Sequence, residues 1–253
     1  MIIKELLDTL YSNNSPYLSC EEKYIDSGYP HTNILKDLLQ ILFTNIEPNY
    51  IVECGSMLGG SALRMAETLK HNNKNTEIIC IDPFTGDVNM WDWEKNGGMG
   101  GGGWRFLRLE NGIPTIYKRF LANCKYSGFE NTILPINATC SVGIKLLQRL
   151  YLQGRITSLP NYIYLDSAHE KDETFTELSL CWNCLIDKGM LFGDDWCWEA
   201  VREDVIKFSN TIQDTIDREN LIRIHLLTPG SHIFNNILLY NGQWVLFKNA
   251  IGT

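Results

Sequence analysis

Apolar residues along this chain come in two rhythms, short solid runs and longer stretches with helical spacing, and their alternation predicts a fold. The runs at 50–54, 76–81, 132–136, 162–165 and 189–192 are too short for helices and rich in Ile, Val, Leu and Tyr, as buried strands are. Between them, helical spacing covers 62–70, 116–124 and 142–151, and Phe175, Leu178, Trp182 and Leu185 fall at i, i+3, i+7 and i+10. Strand, helix, strand at this spacing is a βαβ unit, whose right-handed crossover makes the two strands parallel. A further helix is predicted over 198–209, and Asn241-Gly242 between two apolar runs predicts a closing antiparallel hairpin. Ahead of the first strand, Ile3, Leu6, Leu7 and Leu10 mark an amphipathic helix over 3–10, and Ile34, Leu38, Ile41 and Leu42 a second over 31–43, with 16–29 read as loop. The expected architecture is α/β: a mostly parallel seven-stranded sheet, helices on both faces and a C-terminal antiparallel hairpin. Residues 1–45 form a helical N-terminal cap over the sheet or its ligand mouth, and 46–253 the main domain. The cap reads equally as a dimer contact, which leaves a homodimer open.

The strand ends are where charge enters this pattern. The run at 162–165 stops at Asp166, and the run at 189–192 stops at Gly193-Asp194-Asp195. Ligands in parallel sheets sit off the carboxyl ends of the strands, so Asp166, Asp194, Asp195 and His169 are expected at one rim. The first strand ends in Glu53 and is followed by Gly55-Ser56-Met57-Leu58-Gly59-Gly60-Ser61, which opens a helix and brings backbone N–H groups close to a ligand. Asp82 lies 23 residues beyond Gly59 at the next strand end, where an acid holds a ribose diol. Together these point to a cofactor that carries a nucleoside. The spacing GxGxxG is absent, which disfavours a pyrophosphate contact. An NAD(P)-dependent oxidoreductase and a non-catalytic nucleoside-cofactor-binding protein stay open as alternatives. So do plainer roles for the rim: Asp194-Asp195 as the N-cap of the following helix, and His169 as a cap for a helix beginning near Glu170.

Composition narrows the partners. A net charge of −8 without a basic stripe argues against a nucleic acid or an anionic membrane held through charge. Eight cysteines are too sparse for a disulfide scaffold; Cys54 and Cys80 sit in strand-like runs, and Cys181-x-x-Cys184 falls on a helix with no second ligand pair, which favours packing over a zinc or redox site. No signal-peptide pattern and no run near the roughly 18 apolar residues of a membrane span are present, so a reduced, cytoplasmic protein is expected. Residues 85–112 form a glycine-rich insert in which Trp91, Trp93 and Trp104 flank the run at 97–103; it reads as a substrate lid or as a low-complexity tongue.

The stretch Glu53-Cys-Gly55-Ser-Met-Leu-Gly59-Gly-Ser61-Ala-Leu-Arg64-Met-Ala66 resembles the first motif of class I S-adenosylmethionine-dependent methyltransferases. It is most similar to the metal-assisted O-methyltransferases of the catechol type and to relatives that methylate sugar hydroxyls of natural products. The similarity extends from about residue 46 to the terminal hairpin, through Asp82, Asp166 and the Asp194-Asp195 pair. It implies a Rossmann-like methyltransferase fold in which Glu53, Gly55, Ser56 and Gly59 surround the methionine part of the cofactor. Ser61 would bind its carboxylate, Asp82 its ribose, and the stretch at Ala138 its adenine, with Asp166 alongside. It also implies a divalent metal, Mg²⁺, held by Asp166, Asp194 and Asp195; the catechol enzymes carry an amide where Asp195 stands. His169 occupies the position of their lysine base and is expected to take the hydroxyl proton, with Asp166 as the other acceptor. The implied reaction is methyl transfer to the hydroxyl of a small molecule, nitrogen or carbon acceptors remaining open.

Overall fold

Five parallel strands make the middle of the molecule: β1 (Ile51–Cys54), β2 (Ile78–Asp82), β3 (Ile133–Asn137), β4 (Tyr162–Leu165) and β5 (Met190–Gly193). Side chains of β1, β2, β4 and β5 are buried on both faces, which is why these runs read as solid rather than alternating. The computed structural model describes residues 1–26, 32–91 and 106–250. Three antiparallel strands, β6 (His232–Phe234), β7 (Ile237–Tyr240) and β8 (Gln243–Phe247), complete one sheet in the order β3-β2-β1-β4-β5-β8-β7-β6.

The sheet therefore has eight strands where seven were expected. The additional edge strand, β6, is joined to β7 by Asn235 and Asn236, both left-handed (φ 48° and 59°), as a tight hairpin turn requires. All three β6 side chains are exposed, so no period-two pattern marks it in the sequence. The expected hairpin at Asn241-Gly242 is β7–β8.

Nine helices are described: α1 (Ile2–Leu10), α2 (Lys36–Asn45), α3 (Gly60–His71), α4 (Val88–Trp91), α5 (Ile116–Tyr126), α6 (Cys140–Leu152), α7 (Glu173–Cys184), α8 (Glu199–Thr211) and α9 (Arg218–Leu227). They form two layers. Side chains of α2, α3, α5 and α9, among them Leu42, Leu63, Phe120 and Ile224, pack on the face that presents Ile51, Tyr162, Tyr164 and Phe192. Side chains of α1, α6, α7 and α8, among them Leu6, Leu147, Leu178 and Val205, pack on the face of Val52, Ile79, Ile163 and Leu191. The N-terminal segment thus reaches both faces. Between α1 and α2 it runs through two 3-10 turns, Pro16–Ser19 and Glu22–Tyr24, where the sequence suggested loop. The Tyr17 hydroxyl donates to the Ile133 carbonyl at 2.7 Å, and buried Asp26 pairs with buried Arg119 of α5 (Nε to Oδ2 2.7 Å).

Two boundaries depart from expectation. α2 begins at Lys36 rather than near 31, because Leu35 is extended and the Thr32 hydroxyl accepts the Ile34 N–H in a turn (3.1 Å). α9 was not foreseen: only Leu221 and Ile224 of its apolar residues are buried, while Ile222, Leu226 and Leu227 are exposed, so its pattern has no clean stripe. Of the glycine-rich insert, α4 and Trp91 are described, with the indole donating to the Thr85 carbonyl at 3.0 Å; Trp93, Trp104 and the run at 97–103 lie outside the described residues. No helix among the described residues is long and apolar enough to cross a membrane.

Candidate active site

Register sets the strand ends level. Cys54 lies beside both Ile81 and Leu165, and Leu165 beside Gly193. The chain therefore leaves β1, β4 and β5 at one height, through Gly55, Asp166 and Asp194, and Asp82 closes β2 there. Strand order reverses between β1 and β4, and a cleft of about 700 Å³ opens at that switch point.

The cofactor side of the cleft is built by the glycine turn. Gly55 is left-handed (φ 86°), and a Cβ there would stand 1.8 Å from the Asp166 carbonyl oxygen, so β1 and β4 approach each other backbone to backbone. Asp82 fixes the turn: its Oδ2 accepts the N–H of Ser56 (2.8 Å) and Met57 (2.7 Å), and its Oδ1 accepts that of Phe84. Burial raises its pKa, and those three N–H groups pull it back in part. Glu53, fully buried, accepts the hydroxyls of Ser56 (2.6 Å) and Ser61 and the Cys80 thiol (3.2 Å). Its pKa is likewise raised by burial.

Five of the eight residues expected at the cofactor line the cleft: Gly55, Ser56, Ser61, Asp82 and Asp166. Glu53 does not; it stands behind the turn and accepts a hydrogen bond from the Ser61 hydroxyl, so the turn is organised from within. Gly59 supplies the left-handed start of α3 (φ 89°). The Ala138 side chain packs into the second core layer, and its N–H goes to the Asp82 carbonyl (3.1 Å); Thr139 and Cys140 face the cleft in its place.

Across the cleft, donor atoms of Asp166, His169 and Asp195 all lie within 4.8 Å of one another. His169 is held at both nitrogens, Nε2 by Asp195 Oδ2 (2.9 Å) and Nδ1 by Asp87 Oδ2 (3.3 Å), with its ring 5.1 Å from that of Trp198. Burial pushes the imidazole pKa down, but the two carboxylates outweigh it and raise it to about 10. In this arrangement the two carboxylates favour the protonated imidazole, whereas the expected role of proton acceptor needs the neutral one. Asp166, half-buried, is pushed well above the carboxylate range by burial and then by repulsion from Asp195 and Asp194. Asp195 is also raised by burial, but the His169 contact brings it below its usual value.

Asp194 does not join this group. Its carboxylate accepts the Asp195 N–H (2.9 Å), its carbonyl accepts the Trp244 indole N–H (2.8 Å), and burial pushes its pKa up to about 6. Asp195 is left-handed (φ 59°), which sends consecutive carboxylates in different directions. Of the expected set Asp166, Asp194 and Asp195, the structure brings Asp166 and Asp195 together with His169 and leaves Asp194 outside that group. The capping alternatives fall as well: α8 is preceded by Trp198 and α7 by Asp172 at their N-caps. Two carboxylates and one imidazole suit a divalent cation, provided His169 gives up its proton.

Some residues of the site were not foreseen. Asp87 is 82 residues from His169 in sequence, in a stretch with no motif. Glu173 and Glu177, one helical turn apart on α7, both line the cleft, and that spacing next to a strand end was a usable signal. Glu177 accepts the Ser167 hydroxyl (2.5 Å), and burial, then Cys140, raises its pKa to about 8. Thr32 and Asn33 bring the N-terminal segment to the mouth.

Comparison with known proteins bears on the family and the fold. A family model described as a methyltransferase domain matches residues 52–196, from within β1 to just past Asp195. No curated protein sequence matches the chain. Among solved structures, an O-methyltransferase from Bacillus cereus in complex with SAH is 10% identical, with 97% of each chain covered and a TM-score of 0.51. The SAH-bound methyltransferase PaMTH1 of Podospora anserina is 12% identical over 87% of this chain and 79% of its own, with a TM-score of 0.53. CalS11, a calicheamicin methyltransferase, is 15% identical over 84% of this chain and 76% of its own, with a TM-score of 0.50. At these identities the likeness is one of fold.

Proposed function

Because the chain belongs to the family of S-adenosylmethionine-dependent methyltransferases, we propose that its cleft transfers a methyl group from that cofactor to a hydroxyl of a small molecule. One observation carries the reading: the family match spans the glycine turn, Asp82 and the Asp166–His169–Asp195 group, the parts that wall the cleft. The cofactor supplies an electrophilic methyl group on a positively charged sulfur. Backbone N–H groups of the first turn of α3 would meet its carboxylate, those of Ser56 and Met57 being held by Asp82. Asp82, already fixed by three N–H bonds, would receive the ribose, and Thr139 and Cys140 border the adenine end.

The two groups expected to take the proton, Asp166 and His169, both stand on the rim beside the cleft. Both have raised proton affinity, Asp166 through burial and His169 through Asp195 and Asp87 against its burial, so each acts as the acceptor only in its deprotonated form. A divalent cation would be held by Asp166, Asp195 and His169 and would acidify the acceptor hydroxyl; the imidazole widens the choice from Mg²⁺ to Mn²⁺ or Fe²⁺. Alignment of hydroxyl, methyl carbon and sulfur supplies most of the acceleration in such a reaction.

Calorimetry with S-adenosylhomocysteine tests the reading. Binding at one site per chain, lost in Asp82→Ala, is expected; no heat with well-folded protein would overturn it. Turnover of a hydroxyl panel with and without EDTA then decides the metal separately, since unchanged rates would remove it.

A further inference from the structure

The pair Cys181-x-x-Cys184 on α7 is not used as a pair. Cys181 instead meets two cysteines distant in sequence, Cys54 at the end of β1 and Cys140 at the first position of α6. All three are buried, at 0%, 4% and 0% exposure for Cys54, Cys140 and Cys181. Their sulfurs all lie within 4.8 Å of one another, with Cys140 and Cys181 4.0 Å apart.

Those separations are the ones a thiolate metal site needs. With zinc–sulfur bonds of about 2.3 Å, neighbouring sulfurs stand about 3.8 Å apart in a tetrahedral site and about 4.0 Å in a trigonal one. Cys140 and Cys181 are already there, and Cys54 has less than about 1 Å to close. A disulfide would need the two sulfurs at about 2.05 Å and would leave the third cysteine odd.

We propose that Cys54, Cys140 and Cys181 form a buried site for one thiophilic divalent d¹⁰ cation, Zn²⁺, separate from the carboxylate rim. Charge favours a divalent ion here. Three thiolates leave a net −1 with Zn²⁺ and −2 with Cu⁺, and a dry interior penalises the larger charge. A water reaching Cys140 from the cleft can close the fourth position without adding charge. Cys140 also lines the cleft, which gives the ion a way in. The ion would tie β1, α6 and α7 together behind the cofactor wall, and the proposal holds whatever the cleft methylates.

The test is a Co²⁺ and Zn²⁺ titration of reduced, metal-depleted full-length protein. Expected are one equivalent of Co²⁺ with a thiolate-to-cobalt charge-transfer band in the near ultraviolet, displacement of that band by Zn²⁺, and a Zn²⁺-dependent rise in Tm. Cobalt at the carboxylate rim gives no such band, so the two sites are distinguished. The band should vanish in Cys140→Ala and in Cys181→Ser and persist in Cys184→Ala and Cys197→Ala. Two variants are used so that misfolding of one leaves the other to decide. Overturning results are no band with all thiols reduced, a band that survives loss of Cys140 or Cys181, a band lost with Cys184, or two thiols missing from the native protein as a disulfide.

Discussion

At Gly55 the chain has no room for even one carbon. The left-handed backbone and the Asp166 carbonyl against it make Gly55→Ala a clash with main chain, which cannot swing away. Loss of about 2–4 kcal/mol in a urea melt is expected, together with loss of S-adenosylhomocysteine binding. Glu53 sets a different constraint. Burial raises its pKa above the ordinary 4.5, against the pull of the Ser56, Ser61 and Cys80 bonds, so Glu53 binds its proton more tightly in the folded chain than in the unfolded one. The stability from this source is complete at low pH and declines as pH rises through the folded value. Glu53→Gln keeps the shape and removes the titration. Its Tm should therefore fall less than that of the native protein between pH 5 and 8; parallel profiles for the two proteins would show that Glu53 does not titrate in this range.

At the scale of elements, the segment between α1 and α2 is fastened to α5 by one buried ion pair. Arg119→Met leaves the Asp26 carboxylate buried with, among the described residues, the exposed Arg108 as its cationic partner, and about 3 kcal/mol of destabilisation by denaturant melt is expected, the lower end for a broken buried pair because Arg108 remains. The central elements were legible in the sequence because each strand is buried on both faces and each crossover helix keeps one apolar stripe. β6 and α9 were not, since β6 buries nothing and α9 shows apolar residues on several sides. The rim acids were legible as strand ends, yet which of them meet was not. That depended on the left-handed turn at Asp195 and on Asp87 arriving from another loop, and single-sequence periodicity carries neither.

For the molecule as a whole, two helical layers and a sheet that changes order at its middle leave one large cleft among the described residues, and ligand binding there should stabilise the entire unit. S-adenosylhomocysteine at 100 times its Kd should add about 2.7 kcal/mol. In a chain of this size that is a rise of roughly 5–11 °C in Tm, read by thermal shift. A rise that levels off below about 1 °C would mean that the cleft does not bind this ligand in the native state.

The two ends of that cleft are made of different material. The cofactor end is set largely by main chain, fixed by Asp82 and by the contact at Gly55, where a side chain has no room. The opposite mouth is formed by side chains from scattered segments, Thr32, Asn33, Val88, Asn89 and Trp198, none of which belongs to a strand. Acceptor preference can therefore drift, or be evolved in the laboratory, while the fold stays put. A library confined to those five positions should yield folded proteins that differ in what they accept.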